Sequence, residues 1–176
     1  MLNKIKTIAR HVWQDRADAD SAIPPDMLAR LTQRIAASET RHSGEIRMVA
    51  EAALPMSYLW RLGKTSPMKM LVRQRAVTLF GKLRVWDTEQ NNGVLIYLQL
   101  VEHAIEIVAD RGLTQHVSSD QWQAMVARMS AHFAAKRFED GLTQALEEVS
   151  SELVRIFPAV AGQTNADEMP NEPLLR

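Results

Sequence analysis

The seven residues VLIYLQL, 94–100, limit the possible folds more than any other stretch of the chain. Gln99 alone is plainly polar, and the run does not alternate, which is typical of a strand covered on both faces. The next segment, AIEIVA at 104–109, does alternate, and three residues separate it from the run. A connection this short predicts an antiparallel hairpin whose first strand is central in a sheet.

Three residues, Asn91, Asn92 and Gly93, stand directly before this hairpin. Asn-Gly readily forms a tight turn, so one interpretation is a hairpin reversal; the other is the entry of the strand. Because the reversal lies near 101–103, the three residues belong at the opposite, open end of the hairpin. Antiparallel pairing then predicts that Asp110 and Gly112, at the exit of the second strand, are their neighbours.

The rest of the chain predicts helices around a small sheet. Helical patterns run from about 25 to 39, for about 16 residues from Pro67, and twice after Ser118, where Ser118 and Gln121 have capping-box spacing. From Glu45 the pattern changes to that of a half-exposed strand, with three apolar and three charged positions in alternation: Ile46, Met48 and Ala50 against Glu45, Arg47 and Glu51.

These elements predict an α/β fold. The strand near 45 and the strand near 94 are separated by a helix, as in a parallel βαβ unit. Adding the hairpin and the later helices gives a small mixed sheet of about four strands sandwiched between helices. The predicted core is βαββαα, with extra helices at the N-terminus.

The two ends of the chain are predicted to lie outside this core. The first 16 residues fit an amphipathic helix with one apolar face, made of Leu2, Ile5, Ile8, Val12 and Trp13. Such a face usually packs against its own domain, but it also suits a membrane surface or a partner. ADADSA at 17–22 is predicted to be a linker, which gives an N-terminal segment 1–22 and a domain 23–158. Beyond Pro158 apolar residues are scarce, so 159–176 is predicted to be a disordered tail that is dispensable from about 162.

Composition excludes several classes of function. The chain has 176 residues, 21 basic and 21 acidic side chains and no cysteine. Zero net charge provides no bulk field for nucleic acid, and the lack of cysteine removes thiolate nucleophiles and disulfides. No signal peptide or membrane-spanning stretch is apparent, so we expect a soluble, cytoplasmic protein. The five histidines lack close metal-ligand spacing, and neither a Gly-rich phosphate loop nor a serine nucleophile elbow occurs.

The open hairpin end is the strongest candidate for a site. Its carboxylate, amide and hydroxyl oxygens are of the kind that Ca²⁺ prefers; they come from Asp87, Thr88, Glu89, Asn91, Asn92 and Asp110. Backbone N–H groups at Gly93, Gly112 and the helix start at Ser118 would suit a phosphate. The alternative is that these residues only shape turns and cap strands, as Asn, Asp and Gly often do.

Five segments, in order, resemble the landmarks of the TPM domain, particularly its short bacterial branch. They are TEQNNGVLIYLQL, IEIVADRGL, SSDQW, FEDGL and IFP, and TRHSGEIRM resembles the family's first strand entry. The resemblance covers roughly 43–158. It implies a mixed sheet between helices, calcium binding in several members, and acid phosphatase activity in a thylakoid-lumen relative. Other relatives are membrane-associated accessory factors, and bacterial genes of this type tend to lie beside genes for membrane-anchored relatives and LemA-type proteins. The resemblance therefore implies a membrane-anchored TPM relative or a LemA-type protein as partner.

The resemblance places ligand-binding residues at the open hairpin end. The family pattern matches Thr88, Asn92, Gly93, Asp110 and Gly112 there. With Asn91 these form the predicted ligand-binding set, and Asp110 with Glu89 are the carboxylates predicted to hold a metal.

Two departures from the family pattern bear on activity. The longer relatives carry an Asp-rich segment that has no match in this sequence, and Lys136-Arg137 replaces the usual Gly-Asp before the last helix. We therefore expect an accessory or interaction factor with a polar, calcium-binding pocket, reaching the membrane through its partner. The alternative is a weak acid phosphatase that depends on a divalent cation.

Overall fold

A computed structural model of the chain describes residues 2–13, 16–160, 162 and 168–176. In these residues the chain forms eight helices and four strands. Their order is α1 Leu2–Val12, α2 Arg16–Ala22, α3 Pro25–Glu39, β1 Ile46–Glu51, α4 Met56–Leu59, α5 Met68–Lys82, β2 Val94–Gln99, β3 Ala104–Ala109, α6 Arg111–Thr114, α7 Ser119–Ala134, α8 Phe138–Ile156 and β4 Leu174–Leu175.

The four strands form one mixed sheet in the order β3-β2-β1-β4. β1 and β2 are parallel, with Ile46 opposite Val94, and α5 lies between them in the chain. β2 and β3 are antiparallel, with Val94 opposite Ala109. The βαβ unit, the hairpin and the internal position of β2 are therefore confirmed.

Helices cover both faces of this sheet, which confirms the predicted α/β sandwich. One face packs with α3, α7 and α8 in an apolar cluster that includes Met48, Ile96 and Phe133. The opposite face packs with α4 and α5 in a second cluster around Leu95 and Tyr97. Because successive residues of a strand point to opposite faces, β2 needs apolar side chains at consecutive positions, which explains its uninterrupted run.

The prediction of a linker at 17–22 is wrong, because these residues form most of α2. Alanine has the highest helix propensity of all residues, so a small, Ala-rich segment is a helix former when it has a surface to cover. Ala19 and the following Ile23 are both buried in the first apolar cluster.

The prediction of a half-exposed β1 is also wrong, since all six of its residues are buried. The charged side chain of Glu51 accepts hydrogen bonds from Arg75 of α5 at 2.5 and 2.9 Å and from the hydroxyl of Tyr97 at 2.7 Å. Burial alone would lower the pKa of Arg75, but the hydrogen bonds and the charge of Glu51 raise it, so the guanidinium stays charged. Buried charges are tolerated when they are paired in this way.

The prediction of a disordered tail is wrong for residues 168–176. β4 lies parallel to β1, with Val49 opposite Leu174, and Arg176 exchanges backbone hydrogen bonds with Ala50 and Ala52. Arg47 donates to the carbonyl oxygens of Pro170 and Glu172 at 2.7 and 2.6 Å. The segment is thus ordered by backbone pairing together with the packing of Met169, Leu174 and Leu175 on the two apolar clusters. The tail residues 161 and 163–167 lie outside the described residues.

Candidate functional site

The open end of the β2–β3 hairpin brings together the predicted neighbours. The backbone N–H of Asp110 donates to the carbonyl of Gly93 at 2.9 Å, and the N–H of Gly112 donates to the carbonyl of Asn91 at 2.9 Å. Asp110 is also the N-cap residue of α6. The entry of β2 and the exit of β3 therefore form one polar surface, as antiparallel pairing requires.

Most polar side chains of this surface are engaged in local hydrogen bonds. The Thr88 hydroxyl accepts from the N–H of Asn92 at 3.0 Å, and the Asn92 amide donates to the carbonyl of Ser43 at 3.0 Å. The Arg111 guanidinium donates to Oδ1 of Asn91 at 2.6 and 2.9 Å. These contacts fix the loop, and they place a positive charge next to Asn91, so that this amide is a poor cation ligand.

The two predicted glycines are required by close packing of the backbone. A Cβ atom at Gly93 would lie 1.9 Å from the carbonyl oxygen of Val85, and one at Gly112 would lie 2.5 Å from that of Asn91. Real Cβ atoms do not approach other atoms so closely. At both positions the protein's own backbone occupies the space that a side chain would take.

Two buried oxygen atoms at the open end have no hydrogen-bond partner among the described residues. They are Oδ2 of Asp110 and Oδ1 of Asn92. The other carboxylate oxygen of Asp110 accepts from the N–H of Arg111 at 2.6 Å. Unsatisfied buried acceptors are unfavourable unless a donor or a cation compensates them, so these two atoms suit a hard cation.

Glu89, the second predicted metal ligand, is placed differently. Glu89 is exposed, and its backbone N–H donates to the carboxylate of Glu168 at 3.2 Å. Within the described ranges, no three His, Cys, Asp or Glu side chains come together as a metal site would need. A cation at this end would therefore have few charged ligands, which predicts weak binding.

Sequence reasoning missed three participants in this surface: Ser43, Arg111 and Glu168. Ser43 and Glu168 are distant in sequence and arrive through β1 and the C-terminal segment. Arg111 had a usable signal, because it directly follows Asp110 in the segment predicted to adjoin Asn91.

The helix start at Ser118 is already capped. Its hydroxyl accepts from the N–H of Gln121 at 3.3 Å, and the Gln121 side chain accepts from the N–H of Ser118 at 2.8 Å. This confirms the predicted capping box. It also leaves fewer free N–H groups for a phosphate.

His42, next to Ser43, is a buried histidine that is held by a local hydrogen bond. Nδ1 lies 2.9 Å from the carbonyl oxygen of Gly44 and donates to it. Burial lowers the pKa of His42 to about 4, and the hydrogen bond to Gly44 opposes this shift. The ring is therefore neutral near pH 7.

The N-terminal helix α1 forms a second candidate surface. Its polar residue His11 is buried, where Nδ1 accepts from the N–H of Leu54 at 3.1 Å and Nε2 lies 3.0 Å from Oε1 of Glu102. The apolar stripe is exposed at its most prominent positions, with Trp13 86%, Ile5 60% and Val12 56% accessible.

The expectation that the apolar stripe packs against its own domain is therefore wrong for Trp13, Ile5 and Val12. It holds for Ile8, which packs on the second apolar cluster. The side chain of Leu2 lies outside the described residues. A polar anchor thus holds α1 to the domain while most of its apolar face remains accessible.

The geometry defines a class: a single small α/β sandwich with a mixed sheet and a polar open hairpin end. The model of the TPM domain family matches residues 17–152, more than half of the chain. The chain therefore belongs to the TPM domain family. The match begins in α2 and ends in α8, and so leaves out α1 and the segment that carries β4.

A solved structure supports this assignment. The chain is similar to the BA42 protein from the psychrophilic bacterium Bizionia argentinensis, determined by NMR, with 26% sequence identity and a TM-score of 0.70. The similarity covers 86% of this chain and 94% of that one. No curated protein matches the sequence.

Proposed function

We propose that this TPM-domain protein is an accessory factor that binds a partner protein through α1. The observation that carries the proposal is the orientation of this helix: its Ile5 and Val12, and Trp13 directly after it, are exposed while His11 is buried. Large apolar side chains on a surface are costly to solubility and mark interaction sites when they cluster. Trp60, 69% exposed, contacts the first turn of α1, since its carbonyl accepts from Nζ of Lys4 at 3.0 Å.

The partner we propose is a membrane-anchored TPM relative or a LemA-type protein. No helix in the described part of the chain has the length and hydropathy needed to cross a membrane. A membrane location would therefore come through the partner, with the protein itself on the cytoplasmic side. Zero net charge makes nucleic acid a poor alternative partner.

A binding measurement with a matched control tests this proposal. We expect Val12→Ser and Trp13→Ser to weaken binding to the soluble domain of either partner by tenfold or more, since buried aromatic residues dominate interface energies. Val77→Ser is the control, because Val77 is a similarly exposed helical valine on α5, 48% accessible. Equal effects at Val12 and Val77, or no binding by the wild type, would refute the proposal.

We further propose that the open hairpin end binds Ca²⁺ weakly through Asp110, with Asn92 and Thr88 as neutral oxygen ligands. The unpartnered Oδ2 of Asp110 and Oδ1 of Asn92 support this proposal. Titration calorimetry compares the wild type with Asp110→Asn, which keeps the shape and removes the charge. Asp120→Asn, on the first turn of α7, is the control. Equal heats from all three proteins, or none from the wild type, would exclude the site.

Phosphatase activity is the alternative function for the same end of the hairpin, and the buried carboxylate oxygen of Asp110 is the feature that favours it. A divalent cation there would stabilise negative charge on a phosphoryl group. Turnover of an aryl phosphate that requires the cation and disappears in Asp110→Ala would establish the enzyme. Absence of turnover in a protein that binds its partner leaves the accessory role.

A further inference from the structure

The outer edge of β3 is the edge of the sheet within the described chain. β3 is the terminal strand in the order β3-β2-β1-β4. The N–H of Asp110 donates to the carbonyl of Gly93, which lies opposite it. In an antiparallel pair every second residue bonds to its neighbour, so the backbone N–H and C=O groups of residues 105, 107 and 109 point away from β2. One of these outward groups, the carbonyl of Ile107, accepts a hydrogen bond from Arg73 at 2.6 Å. That contact agrees with the alternation.

A groove runs along this edge between two helices. Its volume is about 1120 Å³, above the roughly 300–1,000 Å³ of typical small-molecule sites. β3 contributes Ile107 and Ala109, α5 contributes Met70, and α7 contributes Trp122 and Val126. The groove therefore offers apolar contacts above and below a row of backbone hydrogen-bonding groups. Its size suits several residues of an extended peptide better than one metabolite.

The charged residues of the groove make it weakly basic. Lys69 and Arg73 lie on the α5 side, and Glu106 is the one acidic residue in the lining. The α7 side contributes uncharged residues, including Gln123 and Ala127. Glu106 is already engaged, because Arg73 donates to its carboxylate at 3.3 Å. An occupant with a carboxylate would therefore complement the remaining positive charge.

We propose that this groove binds an extended, acidic peptide segment of a partner protein, which adds a strand to β3. Its backbone would pair with Ile107 and Ala109, alternate apolar side chains would contact Met70 and Trp122, and a carboxylate would meet Lys69 or Arg73. Strand addition of this kind obtains affinity from the backbone and specificity from alternate side chains. The site is separate from α1, so it stands whether or not α1 binds the partner proposed above.

A phage-displayed library of random octapeptides, selected on the full chain, supplies the probe. We expect enriched sequences with alternating apolar residues and at least one Asp or Glu. The synthetic form of the best sequence should bind at least tenfold more weakly to Ala127→Trp, which fills the groove from an exposed helical position. Ala131→Trp is the control, because Ala131 is equally exposed on α7 and is not part of the lining. Circular dichroism checks that both variants fold.

Two further measurements test the mode of binding. Amide hydrogen exchange at Ile107 and Ala109 should slow when the peptide is bound, and N-methylation of the peptide backbone should abolish binding. Arg73→Gln removes the charge, so it should weaken the acidic peptide roughly two- to fivefold. Its effect on a peptide with Gln in place of the acid should be smaller.

Several outcomes would overturn the proposal. The first is equal enrichment of peptides on Ala127→Trp and on the wild type, and the second is no enrichment on either protein. The third is peptide binding that leaves amide hydrogen exchange at Ile107 and Ala109 unchanged. A wild-type dimer that Ala127→Trp dissociates would show that a second copy of the chain, and not a partner peptide, occupies the groove.

Discussion

The two ends of the chain are attached to the same α/β sandwich by opposite means. α1 is amphipathic, yet a buried histidine and a carboxylate anchor it while Ile5, Val12 and Trp13 are exposed. Residues 168–176 complete the sheet, supply two carbonyl acceptors to Arg47, and place Met169, Leu174 and Leu175 against the apolar clusters. Large apolar side chains are therefore exposed at one end and packed at the other, so apolar content alone does not predict attachment.

The largest expected effect comes from removing the C-terminal segment by truncation after Val160. The truncated chain loses the β4 pairing, the two carbonyl acceptors of Arg47 and the packing of Met169, Leu174 and Leu175, and it lets water reach Arg47. Together these losses should cost about 3–5 kcal/mol, which corresponds to a fall of roughly 6–20 °C in Tm for a chain of this size. Thermal unfolding followed by circular dichroism measures it.

Deletion of residues 1–13 is the matching experiment at the other end. It removes the partner of the Leu54 N–H, which water can then reach, so we expect a smaller loss of about 1–2 kcal/mol. If truncation after Val160 changes Tm less than this deletion does, the proposed contrast between the ends is incorrect.

A double-mutant cycle sharpens the role of Arg47. In the full chain, Arg47→Met loses the charged hydrogen bonds to Pro170 and Glu172, at a cost of about 1.5–3 kcal/mol. In the truncated chain Arg47 has already lost these acceptors and water can reach it, so the same change should be nearly neutral. Burial already lowers the pKa of Arg47, although the charge of Glu172 opposes this shift. Urea unfolding of the four proteins gives the coupling energy, and additive effects would contradict the assignment.

Acid should separate the two ends, because their anchors differ in chemistry. Burial alone would raise the pKa of Glu102, but the hydrogen bond from His11 and the charge of Arg10 hold this pKa below its usual value of 4.5. The stabilisation from Glu102 is therefore present above pH 4.5 and is lost as the pH falls through the lowered pKa. The acceptors of Arg47 are backbone carbonyls, which do not titrate. Amide hydrogen exchange between pH 6 and pH 3 should show α1 opening before β4.

The control for this titration is Glu102→Gln, which lacks the titrating group. His42 also destabilises the fold in acid, because its pKa of about 4 lies below the usual 6.5 and its contribution is lost as the pH falls from 6.5 through 4. Both proteins contain His42, so their difference isolates Glu102. Opening of α1 with the same pH dependence in both proteins would exclude Glu102 as its anchor.

The sequence predicted the centre of the fold better than its ends. The run at 94–100 and the alternation at 104–109 each depend on local burial, so periodicity revealed β2, β3 and the open end between Asn91 and Asp110. β4 has two residues and forms only because β1 presents an edge to it, which no local pattern records. Glu168 was missed for the same reason, because its position depends on distant residues. The apolar stripe of α1 indicated a helix, but it did not indicate which face of that helix is exposed.

The smallest expected effect is that of Ile5→Ser on stability. This substitution tests directly whether the apolar face of α1 is exposed. Ile5 is 60% accessible, so its replacement removes little buried area and should change the free energy of unfolding by less than about 0.5 kcal/mol. Ile8, one turn further along α1, packs on the second apolar cluster, so Ile8→Ser should cost more, about 1 kcal/mol or above. Urea unfolding of both variants measures the difference. Equal losses would mean that Ile5 packs against the domain in solution, and the exposed stripe of α1 would then not be available to a partner.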